Sequence, residues 1–396
     1  MSRSLRMPGF SNTPTRVRHV AHVAAIVLAL ACPAACAAKD AGTIKVGAIS
    51  TLTGTGISTE AVRGAKAYFD ALNAAGGIRG KRIVLVSEDD RAEPQSAAAA
   101  ANRLVADKDI VAMVGGSSVL ECAVNHKLYE EAGLMSLPGG GIDPLCFGSP
   151  NIAPVNAGPY VSLANGLTFA RTVLRHERLC VVSPALPGMV EAFQQAIDQW
   201  AKTQRVPSPP MEIFQLGDPM EPVVKRVAAR ACQSLVFTGP NVVEWARSSR
   251  PLLPGVEQIF LTPAYTTVVT QALGASGEGI YAIAEFEPWT SRSLQLNDWR
   301  ALMTANKVPL SSLSQGGYLA AQMFGKAVRG ISGPITRETV AKALREMAPV
   351  SNALTASPFV VGPGRSHNPN NSGIPMQLKD GQWRVAHSKW ISFEMR

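Results

Sequence analysis

No apolar run in this chain is long enough to cross a bilayer comfortably. Val20 to Ala31 has twelve residues and is interrupted by His22, against about 20 for a spanning helix. No later segment is long enough either, so a soluble mature protein is expected. Enzyme signatures are missing as well: there is no His-Glu-x-x-His and no Gly-x-Ser-x-Gly. Gly77-Ile-Arg-Gly-Lys81 is only a fragment of a phosphate loop, set between a helix and a strand, the wrong context. His126, His176, His367 and His387 lack metal-ligand spacing, and no Cys-x-x-Cys occurs. Lys and Arg do not interleave with aromatics, which removes support for nucleic-acid binding. No fixed-period repeat exists, so a solenoid is excluded. The expectation is a non-enzyme without cofactor or metal.

What is there is globular: 46% hydrophobic and 17% charged over 396 residues, a size that suits two domains. The N-terminus reads as a secretory signal over residues 1–37. Arg3, Arg6, Arg16 and Arg18 form its basic part, and Ala35-Cys36-Ala37 fits a small-x-small cleavage site. Cys36 or Cys32 offers a lipid-anchor alternative, but the residues before each fit a lipoprotein site poorly. Removing 1–37 lowers the net charge from +9 to +5, which permits an anionic ligand without requiring one.

Four cysteines then remain: Cys122, Cys146, Cys180 and Cys232. An even number in an oxidising compartment suggests two disulfides. Cys122–Cys146 with Cys180–Cys232 is the preferred pairing, because each pair lies within one half of the chain. Four buried free thiols are the alternative.

The chain has a βαβ rhythm. Ile44 to Ser50 reads as a strand, Thr51 to Ile57 as a Gly-rich turn, and Thr59 to about Ala74 as a helix. Val62, Ala65, Phe69 and Leu72 make one apolar stripe. Gly76-Gly77 ends the helix, and Arg82 to Ser87 is apolar enough for a strand covered on both faces. Ligands in such sheets bind beyond the carboxyl ends of strands, here Ser50 to Ile57. Helices at 95–107 and 120–132 alternate with strands at 110–114, 134–137 and 152–155, and 156–159 reads as a hinge. A second series has strands at 178–183, 211–216, 234–238, 258–262 and 280–284, with helices at 189–202 and 223–231. Helices at about 312–329 and 337–346 follow, then strands at 376–378 and 383–385 around an Asp380-Gly381 turn. The fold class is α/β, with two doubly wound parallel sheets.

Several segments are similar to the leucine/isoleucine/valine-binding protein family, the type I periplasmic solute-binding proteins of ABC transporters. They are Ile44 to Ser50, Asn73-Ala-Ala-Gly-Gly-Ile-Arg-Gly-Lys81, Ser87-Glu-Asp-Asp90, Met113-Val-Gly-Gly-Ser-Ser118, Tyr129-Glu-Glu-Ala-Gly133 and Leu137-Pro138. The resemblance implies two lobes joined by three crossings: 43–157 plus 285–360, and 158–284 plus 361–396. It also implies a small-molecule ligand between them, a periplasmic location and an inner-membrane ABC permease as partner.

Carried over residue by residue, the resemblance places ligand contacts at Ser117, Ser118 and Val119, and at Gly139, Gly140 and Gly141. Backbone amides there could bind an anion. Val119 stands where the family usually has serine, and Gly141 where it has threonine. Ala264 takes the place of the acid that pairs with a ligand ammonium, with Tyr265 next. Asn241 and Pro187 replace aromatics, while Tyr318 matches a family tyrosine. An unpaired buried ammonium is costly, so a small organic acid, plausibly aromatic, is expected over a standard branched-chain amino acid. Ser117 and Ser118 could also simply cap the following helix, and Tyr318 could be core. A periplasmic sensor feeding a membrane receptor is the alternative function, and a true amino-acid or amide binder the second.

Overall fold

A computed structural model describes residues 42–396 other than 55, 57, 187, 368 and 396. The expected signal, Cys32 and Cys36, and Pro187 lie outside the described residues. The first run of elements is β1 (Thr43–Ser50), α1 (Glu60–Ala74), β2 (Arg82–Asp89), α2 (Pro94–Ala106), β3 (Ile110–Val114), α3 (Glu121–Glu131), β4 (Ser136–Leu137) and α4 (Pro144–Gly148). Its strands form a parallel sheet in the order β2-β1-β3-β4. Apolar residues project from both faces of β1 and β3, and two core clusters result. Val46, Phe69 and Val114 belong to one; Ile49, Leu104 and Met113 belong to the other.

The second run is α5 (Gly158–Thr172), β5 (Leu179–Pro184), α6 (Met189–Gln204), β6 (Met211–Phe214), α7 (Met220–Ala228), β7 (Ser234–Phe237), α8 (Val242–Ser249), β8 (Glu257–Phe260), α9 (Thr267–Leu273) and β9 (Tyr281–Ala284). The chain then returns to the first core through α10 (Asn297–Ala305), α11 (Ser312–Arg329) and α12 (Arg337–Glu346), before β10 (Ser372–Lys379), β11 (Gln382–Val385) and β12 (Ile391–Ser392). The second sheet has the order β11-β10-β9-β8-β7-β5-β6, with β12 beside β10. Strand β10 is antiparallel to β9 and β11. Asp380 and Gly381 both have positive φ, 52° and 68°, which fits a two-residue hairpin turn with the strand twist.

The Asn73–Lys81 segment serves the scaffold. Asn73 Nδ2 donates to the Ile83 carbonyl at 2.8 Å, and the Ile83 N–H donates back to Asn73 Oδ1 at 2.7 Å. Gly77 has φ +72°, and a Cβ there would lie 2.1 Å from the Lys81 carbonyl oxygen. Only glycine fits both conditions. The segment therefore fixes how α1 hands over to β2.

Five helices escape the sequence reading: α4, α5, α8, α9 and α10. All but α5 are nine residues or fewer, too short for a clear periodic signal; α5 has fifteen residues but is buried nearly all round, which erases an amphipathic period. The segment expected as a strand at 152–155 makes only an isolated bridge, Ser136 to Ile152. Cys122 and Cys146 are joined with Cα atoms 5.1 Å apart, and Cys180 and Cys232 with 6.0 Å, both within the usual disulfide range.

Candidate functional site

The loops after β1, β3 and β4 converge at the carboxyl ends of the first sheet. Single bridges link Ser50 to Ser117, and Ser117 to Gly140. The Thr51 N–H donates to the Ser117 carbonyl at 3.2 Å, the Ser117 N–H to Ser50 Oγ at 3.0 Å, and the Gly139 N–H to the Gly116 carbonyl at 2.8 Å. This zipper needs bare backbone. A Cβ on Gly116 would sit 2.3 Å from the Ile49 carbonyl oxygen, and one on Gly140 2.9 Å from Ser117 Oγ. Helix α11 closes over the loop in the same way. A Cβ on Gly316 would lie 1.9 Å from the Gly139 oxygen, and one on Gly317 1.8 Å from the Ala61 oxygen.

Six of the nine proposed contact residues thus stand together: Ser117, Ser118, Val119, Gly139, Gly140 and Gly141. Their roles differ. Ser118 is a cap: its Oγ accepts from the Leu120 and Glu121 N–H groups at 3.0 and 2.9 Å and donates to Asp90. Its hydroxyl is committed, as N-cap serines are. Gly141 is committed too, since its N–H donates to Asn156 Oδ1 at 2.7 Å and its carbonyl accepts from Asn156 Nδ2 at 3.0 Å. Val119 is 42% exposed, a large apolar side chain offered to solvent at a strand end.

The first loop is braced by Asp89. Its carboxylate accepts from the Leu52 and Thr53 N–H groups, the Arg91 N–H and Thr53 Oγ1. Burial pushes the Asp89 carboxyl up, but these donors outweigh it and hold the pKa at about 2. Thr51 Oγ1, Ser58 Oγ, Ser312 Oγ and Gln315 Oε1 are buried without a partner among the described residues. Ser312 and Gln315 open α11, whose Ser311–Ser314 capping box sets that end. The serine cluster Ser311-Ser312-Leu-Ser314 was the available sequence signal for these groups, and sequence reasoning missed it.

The other three residues lie elsewhere. Tyr265 is buried in the second sheet's core, its ring 5.0 Å from Trp289 and 5.6 Å from Trp383. Its hydroxyl is 2.8 Å from Thr290 Oγ1, and burial raises its pKa. Asn241 sits at the start of α8 and donates to Glu244 Oε2 at 3.2 Å, while its Oδ1 is buried without a partner among the described residues. Tyr318 packs edge-on against Tyr68 at 5.2 Å. It lines a cavity of about 450 Å³ with Asp298, Trp299, Lys326 and Arg329. Burial, then Tyr68 and Asp298, push its pKa up to about 12. Ala264 is fully buried in the second sheet's core. Asp143, two residues past Gly141, caps α4 by accepting from the Leu145 N–H at 2.8 Å, and burial raises its pKa. Among the described residues, no group of three or more His, Cys, Asp or Glu could hold a metal ion.

Comparison with known proteins places this geometry. An amino acid binding protein of Pseudomonas aeruginosa is 40% identical over 82 residues, 21% of this chain and 22% of that protein; the chain thus spans about a fifth of that relative's length. The crystal structure of a possible leucine/isoleucine/valine-binding protein from Rhodopirellula baltica superposes with TM-score 0.75 at 17% identity, covering 88% of this chain and 97% of that one. An ABC-transporter solute-binding protein from R. palustris, solved with benzoate, gives 0.71 at 17% identity, covering 89% and 97%. The fold is that of type I periplasmic binding proteins. The family profile itself matches residues 43–382, so the chain belongs to the periplasmic binding protein family of the leucine/isoleucine/valine-binding type.

Proposed function

We propose that this chain is the extracytoplasmic solute-binding component of an ABC importer, exported to the periplasm, and that its ligand is a small organic acid. Two lobes, 43–157 plus 285–360 and 158–284 plus 361–396, would close on that ligand and present the closed state to a permease in the inner membrane. Contacts made only in the closed form shift the population toward it. The lobes are supported by two sheets, each with its own core and joined by three crossings. Cys122–Cys146 and Cys180–Cys232 would be disulfides in that compartment. No chemistry is assigned: the chain binds and does not catalyse.

The observation that carries the ligand class is Ala264. By the family resemblance this buried alanine would take the place of the acid that pairs an ammonium group, and charge left unpaired in a closed site is heavily penalised. At the strand ends of the first sheet, Val119 offers apolar surface and Ser117 and Gly140 lie in a neutral, backbone-rich loop. The benzoate-bound protein of the same fold lends support to an aromatic acid. A second reading, an amine-bearing ligand, draws on Asp143, the acid nearest in sequence to Gly141. Its cap bond to Leu145 and its raised pKa count against it.

A thermal-shift screen of the purified protein with benzoate, other aromatic and aliphatic acids, amides and L-leucine separates the two. A ligand at 100 times its Kd adds about 2.7 kcal/mol. An acid is expected to give such a shift and L-leucine none. Micromolar leucine affinity by calorimetry would overturn the acid reading.

A further inference from the structure

The chain passes between the two sheets three times, and one buried acid touches all three passages. Glu285 directly follows β9 and is 6% exposed. Ser162 Oγ, in the first turns of α5 after the first passage, donates to Glu285 Oε1 at 3.0 Å. Burial pushes the Glu285 pKa up, while Asn156, Ser162, Thr262 and the Gly158 N–H favour its charged form. On the third passage, Asn370 Nδ2 donates to the Glu285 carbonyl at 2.8 Å, and Asn370 Oδ1 accepts from the Ser372 N–H at 3.2 Å, where β10 begins. Asn156 meanwhile holds both polar groups of Gly141. A polar path therefore runs from the Gly139–Gly141 loop through Asn156 to Glu285, and on to Ser162 and Asn370. No charged side chain is among the groups that set its ionisation. Glu287, the nearest acid along the chain, accepts from Ser291 Oγ at 3.2 Å; burial pushes its pKa up, with Ser291 and then Arg300 opposing.

We propose that Glu285 is a hinge clasp, a positioning residue that ties the candidate ligand loop to all three crossings and limits how freely the lobes move. The proposal rests on the two-lobe reading above. Its pH sense follows from the surroundings. The donors bond the charged carboxyl more strongly, but burial outweighs them and raises the pKa, so the folded region around Glu285 is most stable with the acid protonated. It loosens as pH rises through that raised value.

Amide hydrogen exchange of the full chain without ligand tests this, at pH 5.5 and pH 8 after correction for intrinsic rates. Glu285→Ala is expected to speed exchange about tenfold or more in residues 153–160 and 284–290 together, with 369–374, still held by the Glu285 carbonyl, and α2 and α7 unchanged. Glu285→Gln keeps an acceptor for Ser162; it should restore protection and remove the pH dependence seen in the wild type. Asn156→Ala, a milder change, should free 139–141 and 153–160 while leaving 368–374 protected. Faster exchange confined to 284–290 in Glu285→Ala, or an unchanged pH dependence in Glu285→Gln, would overturn the clasp. Coupled exchange with no response to any acid, amide or amino acid in the thermal screen would instead sink the solute-binding reading and leave the clasp standing.

Discussion

Glu121 should make this protein less stable as pH rises from about 4.5 through 7. It is the first residue of α3, fully buried, and accepts from the Tyr129 hydroxyl at 2.9 Å. Burial pushes its pKa up from 4.5 to about 7; the Asp90 charge adds to the rise, and Tyr129 and Ser136 oppose it. The folded value thus lies about 2.5 above the unfolded one, which at 1.36 kcal/mol per unit is about 3 kcal/mol. For a raised acid, that stability is fully present below pH 4.5 and is lost as pH climbs through 7. A loss of this size is a large share of the roughly 5–15 kcal/mol that holds a domain folded. Glu285 adds to the same slope. Glu121→Gln keeps an acceptor for Tyr129 and removes the charge. Urea unfolding of both proteins between pH 5 and 8.5 should give similar stabilities at the acid end. The variant should be ahead by up to about 3 kcal/mol at the alkaline end. Curves that stay parallel with pH would refute the reasoning. The consequence reaches the site, because Glu121 lies one turn from Ser118, whose Oγ accepts its N–H.

Four further outcomes follow from packing and exposure. Reducing either cysteine pair, or replacing Cys180 or Cys122 with serine, should cost about 3–4 kcal/mol for closed loops spanning separations of 52 and 24 residues, read as a drop in Tm that a reductant reproduces in the wild type. Gly317→Ala places a Cβ against the Ala61 backbone and should destabilise by at least about 1–3 kcal/mol, measured by denaturant midpoint. Ser118→Ala should lower stability by about 1–3 kcal/mol with no ligand present, because it removes a cap and strips a donor from buried Asp90. Val119→Asp should leave the midpoint nearly unchanged and weaken binding of an acid found in the screen.

The regular alternation from Ile44 to Val114 was legible because buried strands and Gly-stopped helices write their period directly into the sequence. Both cysteine pairs followed from proximity along the chain. The short helices α8 and α10 were not legible: the residue before each makes no side-chain capping bond, so nothing local announces them. Helix α9 did carry a signal, since Thr266 accepts from the Val269 N–H. At the candidate site, strand ends pointed to loops that stand together but not to the role of each side chain. Ser118 is drawn away by Asp90, 28 residues earlier. Gly141 is held by Asn156, 15 residues later. Ser162 meets Glu285 across 123 residues. Partnerships of that span are set by topology and leave no local pattern.

These partnerships also change which residues can discriminate between ligands. Ser118 and Gly141 came forward as contacts through position in a family pattern, yet each spends its polar groups on the scaffold. Discrimination then falls to the groups that remain unspent. Those are Val119, exposed and apolar, and the unpartnered Thr51 Oγ1, Ser312 Oγ and Gln315 Oε1 around the same strand ends. All of them are neutral, and Ala264 contributes no charge. A buried polar group without a partner costs about 1–3 kcal/mol, so a ligand or water that supplies one recovers that energy. On the proposed reading, hydroxyls and backbone amides would donate to a carboxylate's oxygens, whereas an ammonium would find acceptors but no acidic partner. Such a site would select by hydrogen bonding and apolar shape, which is why the choice between an acid and an amino acid is the measurement that most constrains its function.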